Sequence, residues 1–223
     1  MLLVILPFVI LIFVFGFLTY KSVSGLVGNV SGTSTAVEEK DVIDSMDYHL
    51  RSNATDFQVG LFEELNSLIK DGSDESAIAA SVAENFVADF YTWTNKDSSY
   101  DIGGMYYVFG KTKNNVYVQA RNTFYKYVAY YMNTYGKDDL LEVESIDTEN
   151  PQKTTFEYEG KTYDAYFVTC RWTYKKCSNF PVERYITKSY FTVVNNNGRF
   201  EIADAYGDEW WKREGLEKRT LEI

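Results

Sequence analysis

Few residues in this chain could carry chemistry. Its one histidine, His49, stands among Asp47, Tyr48 and Arg51. Imidazole is the side chain that changes charge near neutral pH. With no second histidine to share a metal and no nucleophile beside it, His49 reads as a surface residue. Cys170 and Cys177 are separated by six residues, too far for a CxxC metal or redox motif. An extended chain would hold them about 20 Å apart. A disulfide therefore requires residues 175–181 to fold back, and two free thiols are the other reading; neither implies catalysis. The sequence contains no P-loop, GxGxxG, HExxH, EF-hand loop or nucleophile elbow, so no catalytic residue, metal ligand or cofactor site is assigned.

Aromatic residues are the more telling group. The chain has 19 Tyr, 15 Phe and 4 Trp, 17% of its residues, which excludes a disordered tail. Tyr125, Tyr127, Tyr130, Tyr131 and Tyr135 crowd one segment and would surround a helix, so some must face water. Tyrosine buries area while keeping a polar tip, which suits it to interfaces. Tyr127, Tyr130 and Tyr131 are the expected partner-binding face, and Trp210 and Trp211 a second one. The net charge of −10, from 32 acidic and 22 basic residues, argues against a nucleic-acid partner, because counterion release needs a basic face.

These residues need elements to position them. Residues 1–18, MLLVILPFVILIFVFGFL, carry no charge, and the first comes at Lys21. As a helix they would span roughly 27 Å, close to a bilayer core. The expectation is a single-pass anchor over residues 1–20, with a cleaved signal peptide as the rival, since Ser22-Val23-Ser24 is a small-x-small site. Residues 21–54 would form a Gly- and Ser-rich stalk and a first helix, with Val42, Met46 and Leu50 recurring every four residues.

A second helix starts at Thr55, whose spacing to Gln58 fits a capping box, and stops at Gly72. Ser73 or Asp74 caps a third, striped by Ile78, Val82, Phe86 and Phe90. Residues 111–135 read as a fourth, ended by Gly136. From Asp139 the period becomes two. Strands are expected over residues 141–146, 154–158, 162–174, 184–194 and 199–206, with turns at Glu159-Gly160 and Asn197-Gly198. A charged tail, residues 209–223, follows.

Helices followed by antiparallel strands define an α+β domain. The helix over residues 75–92, the helix around residues 124–132 and the long strands give residues 55–208 an element order that resembles the nuclear-transport-factor-2-like (NTF2-like) superfamily, a cone of helices wrapped by a curved antiparallel sheet. Behind a membrane anchor, such a domain is similar to the VirB8- and TcpC-type conjugation proteins. The resemblance implies a non-catalytic scaffold of a type IV secretion-like channel at the cell membrane. Its domain would be extracytoplasmic, and its partners other envelope or channel proteins or copies of itself. Lys21, counted alone, would favour the opposite orientation. Cone-shaped relatives also include enzymes with a buried acid or tyrosine. The resemblance therefore gives a second reading, a small-molecule pocket built from Asp164, Asp204, Tyr163, Tyr166 and Tyr206. A cell-envelope domain with no transfer role is the third.

Overall fold

A computed structural model describes residues 38–207. Two short strands, β1 (Glu39–Ile43) and β2 (Tyr48–Arg51), pair antiparallel as a hairpin. Asp47 takes a left-handed conformation, φ 52°, in the turn between them. This corrects the helix expected there. The four-residue recurrence of Val42, Met46 and Leu50 was coincidence: Tyr48 and Leu50 alternate into the core with Ile43, the period of a strand.

Helix α1 (Asp56–Lys70) begins with the expected capping box: Gln58 N donates to Thr55 Oγ1, and Thr55 N donates to Gln58 Oε1 at 2.9 Å. Helix α2 (Glu75–Phe90) is capped by Asp74, whose carboxylate accepts from Ser76 N. The single helix expected over residues 111–135 is two, α3 (Lys113–Asn122) and α4 (Val128–Tyr135). The break draws Tyr125 fully inside, where its hydroxyl donates to Phe90 O at 2.6 Å. A continuous helix would leave that ring no route to the core.

Five strands follow: β3 (Val143–Thr148), β4 (Gln152–Tyr158), β5 (Lys161–Tyr174), β6 (Lys188–Asn196) and β7 (Arg199–Gly207). All pair antiparallel. The long β5 carries β3 and β4 end to end along one edge and β6 along the other, and β7 closes on β6. Both tight turns are where expected. Glu159-Gly160 and Asn197-Gly198 have positive φ at both central residues, as the right-handed twist of a hairpin requires. Helix α2 lies across one face of this sheet, and Phe86 meets Phe191 edge to face with centroids 5.6 Å apart. Tyr166, Val168, Cys170 and Trp172 of β5 line that core. Phe109 instead packs on a small outer cluster with Tyr163, Ala165 and Val194.

The expected fold, an N-terminal transmembrane helix leading into a cone-like NTF2-like domain, is thereby corrected. Among the described residues are four helices, a two-stranded sheet and a five-stranded sheet, and none of the helices is long and apolar enough to cross a membrane. The apolar residues 1–18 and the tail, with Trp210 and Trp211, lie outside the described residues. The chain divides into two units, Met1–Val37 and Glu38–Ile223, so the β1–β2 hairpin belongs with the second.

Candidate functional site

The pocket residues expected from sequence are dispersed. Asp164, on β5, is exposed and pairs with Thr155 of β4. Asp204, on β7, pairs with Thr192, which pairs with Phe167. Phe167 is three positions from Asp164, so the two carboxylates stand on opposite faces of the sheet. Asp204 accepts from Tyr206 Oη at 2.5 Å and from Ala205 N. Tyr166 is buried and donates to Glu75 Oε2 at 3.0 Å, tying β5 to the start of α2. Tyr163 is buried under Phe109. Nothing brings these five groups to one mouth.

The cysteines are both free. Cys170 is buried, and burial pushes its thiol up to about 12, far from a reactive thiolate. Cys177 points its sulfur at Leu140 O, 3.2 Å away.

The densest polar constellation went unread in the sequence. Arg51 from β2, Asp89 from the last turn of α2, and Lys96 and Asp101 from the loop after it meet beneath the hairpin. Lys96 is fully buried. Its Nζ lies 2.8 Å from Asp89 Oδ1 and 2.6 Å from Asn95 Oδ1. Arg51 Nε is 3.3 Å from Asp89 Oδ1, and Nη2 is 2.6 Å from Asp101 Oδ1. Arg51 Nη1 donates to Asn95 O at 2.5 Å, Gly104 N donates to Asp89 Oδ2 at 2.6 Å, and Asn95 Nδ2 donates to Gln58 Oε1 at 2.8 Å. The loop must press against the helix end to make these bonds. A Cβ on Gly103 would fall 2.1 Å from Asp89 O, so only glycine fits.

Burial alone would raise the Asp89 carboxyl, but Lys96 and Arg51 outweigh it and hold it at about 2. Burial drives the Lys96 ammonium down to about 8, with Asp89 offsetting only part of that cost. A lysine so depressed could in principle act as a base or nucleophile. Here two of its three N–H donors are engaged, by Asp89 and Asn95. The cavity beside it, lined by His49, Arg51, Gln58, Asn85, Asp89 and Tyr107, measures about 10 Å³, room for no more than one water. The constellation is a lock between hairpin, helix and loop. Among the described residues no group of His, Cys, Asp and Glu is placed to hold a metal.

A readable trace of the lock did exist. Ser81, Asn85 and Asp89 recur every four residues, a polar line down the inner side of α2, and Ser81 and Asn85 are buried. Such a line in a core helix calls for polar partners; Asn85 and Asp89 find them, and the Ser81 hydroxyl does not.

The expected partner face is more coherent. Tyr127 and Tyr130 are 52% and 63% exposed. Tyr131, between them, stacks over Trp93 with centroids 6.1 Å apart and meets Phe180 edge to face at 5.3 Å. Tyr185 packs on both Trp93 and Phe180, and the next residue, Ile186, is 48% exposed. The outer tyrosines therefore stand on a fixed aromatic base.

No protein-family model, curated protein or solved structure matches this chain.

Proposed function

We propose that the chain is a non-catalytic assembly protein of the cell envelope. Its apolar N-terminal segment holds it at the membrane, and its described domain engages another protein, within a conjugative, type IV secretion-like transfer channel. The observation that carries the reading is the pair Tyr127, at the N-cap of α4, and Tyr130, within it, both exposed beside the packed base of Trp93, Tyr131 and Phe180. Rigid, exposed aromatics lose little conformational entropy on contact and supply much of the energy of interface hot spots. Two further observations are consistent with it. The dispersal of Asp164, Asp204, Tyr166 and Tyr206 leaves no shared pocket for a small molecule, and the lock around Lys96 is closed to a substrate. A net charge of −10 is unfavourable for a nucleic-acid partner. Anchoring would raise the local concentration of the domain beside its envelope partners.

The test is a photo-crosslinker placed at Lys126, exposed beside Tyr127, in cells of the native host. The expected product joins the chain to a protein of the transfer apparatus, and changing Tyr127 and Tyr130 to Ala should remove it and lower conjugation frequency. Recovery of the monomer alone, with transfer unchanged by the double substitution, would refute the proposal.

A further inference from the structure

His49 lies on the outer side of β2 between two carboxylates on opposite sides of its ring. Nε2 is 2.8 Å from Asp47 Oδ1, and Nδ1 is 2.7 Å from Glu39 Oε1. The first contact is a hydrogen bond. The second lies off the hydrogen-bond line and leaves Nδ1 shielded from water without an aligned acceptor, so it acts through charge. The ring is stacked on Tyr106, centroids 4.1 Å apart at 14°. Tyr106 in turn donates to Glu39 Oε1 at 3.0 Å.

A neutral imidazole has one N–H and one lone pair, so it can donate to only one of two carboxylates and repels the other. The protonated ring keeps the hydrogen bond to Asp47 and attracts Glu39 through its charge. The arrangement thus has two forms that differ by one proton.

We propose that His49 is a pH-operated clasp on strand β1. Charged, it ties Glu39 of β1 and Asp47 of the turn to the platform of Tyr106; neutral, it lets go of Glu39, and β1 loosens while β2 stays docked. The asymmetry between the strands follows from what else holds them. Tyr48, buried on the opposite side of β2, donates to Phe200 O at 2.6 Å and accepts from Phe200 N at 3.1 Å. β1 has an irregular register between Glu39 and Asp41, and its residues 39–41 are exposed. β1 is also the first described strand of the domain, so the clasp sets how firmly that edge is held.

Every element packed around the ring contributes charge. Glu39 comes from β1, Asp47 from the turn, and Tyr106 from the short helical turn Met105–Tyr107. Lys113 of α3 stands 5.0 Å over the Tyr106 ring, and Arg199 of β7 pairs with Asp47 at 3.2 Å and with Glu201 at 3.6 Å. Arg51 and Asp89 share with His49 the lining of the small cavity on the inner side. Burial alone would lower the imidazole, but Asp47 and Glu39 outweigh it and raise it above its ordinary value. Both carboxylates are lowered, principally by His49. A raised histidine contributes stability below its unfolded value and loses it as pH climbs through the folded one; lowered carboxylates lose theirs as pH falls. The clasp is therefore closed between the lowered carboxylate range and the raised imidazole, and opens as pH climbs through the latter.

Since the chain has one histidine, histidine-selective isotope labelling of the full chain in detergent micelles gives a single titration. The expected result is a midpoint above about 6.5. Through it, exchange of the amides of residues 39–43, corrected for intrinsic rate, should accelerate about threefold, the size of an exposed charge contact. His49→Gln should abolish that step, and Glu39→Gln should move the midpoint down. A midpoint at or below the ordinary value, flat β1 protection across the titration, or a step retained in His49→Gln would each overturn the proposal.

Discussion

The lock under the hairpin and the face of α4 treat unsatisfied groups in opposite ways. At Arg51, Asp89, Lys96 and Asp101 the charges are largely withdrawn from water and answered by partners inside the chain. At Tyr127 and Tyr130 large rings are left in water beside others that are packed. The first pattern fixes a structure and leaves room for no more than one water beside it. The second leaves contact energy unspent.

The sharpest way to break that contrast is to remove one member of the lock. Asp89→Ala leaves Lys96 and Arg51 close together with one carboxylate fewer. Stranding a buried charge in this way costs about 3–5 kcal/mol, or roughly 10 °C in melting temperature for a domain of this size. Thermal unfolding followed by circular dichroism measures it. Asp89→Leu combined with Lys96→Met should recover part of the loss, because replacing both charges leaves nothing stranded. A loss under about 1 kcal/mol for Asp89→Ala would mean that water reaches the network, and the contrast with the open face would fail.

A smaller effect comes from pH. The folded Lys96 ammonium releases its proton at about 8, whereas an unfolded lysine holds it to about 10.4. Between these values the unfolded chain binds more protons, so this group makes stability rise with pH. Denaturant unfolding at pH 8 and pH 10.4 should show the native chain gaining about 1–3 kcal/mol relative to Lys96→Met. The sign is opposite to that of His49, two residues from Arg51 on the same strand, whose contribution falls with rising pH. Equal slopes in the two proteins would show that Lys96 is not held in the charge-depressing environment the lock requires.

How much of this contrast the sequence disclosed depends on whether the signal was local. Thr55 with Gln58, Asp74, Glu159-Gly160 and Asn197-Gly198 announce caps and turns through backbone needs that only a few residue types meet, and each is found in its place. The hairpin over residues 39–51 was misread, because its length is short enough for a four-residue coincidence to imitate a helix. Lys96 was invisible for a different reason. Nothing in Thr94-Asn95-Lys96-Asp97 marks that lysine for burial; its site is closed by Arg51 of β2, which is distant in sequence, and by the approach of Gly103-Gly104 to the end of α2. The tyrosine face was partly legible, since five tyrosines on about ten residues cannot all be inside, but the helix break that buries Tyr125 depends on the tertiary bond to Phe90 O.

The smallest effect expected on stability is also the one that most sharpens the comparison. Tyr127 and Tyr130 already stand in water, so changing both to Ala removes little native packing. Surface substitutions of this kind move stability by within about 0.5 kcal/mol. Some of each ring does rest on Tyr131, with centroids 6.3 and 5.6 Å away, and Lys126 lies 5.0 Å over Tyr127, so a slight loss is expected rather than a gain. Crosslinking from a third site beside them, Lys126, should nevertheless fall at least tenfold, since hot-spot aromatics each account for about 2 kcal/mol or more of an interface. A stable variant that no longer captures its partner would separate the two regions cleanly, one holding the fold and the other spending its exposed rings outside the chain. A variant that loses 2 kcal/mol or more of its own stability would instead place these tyrosines with the core, and the face would have no claim to a partner.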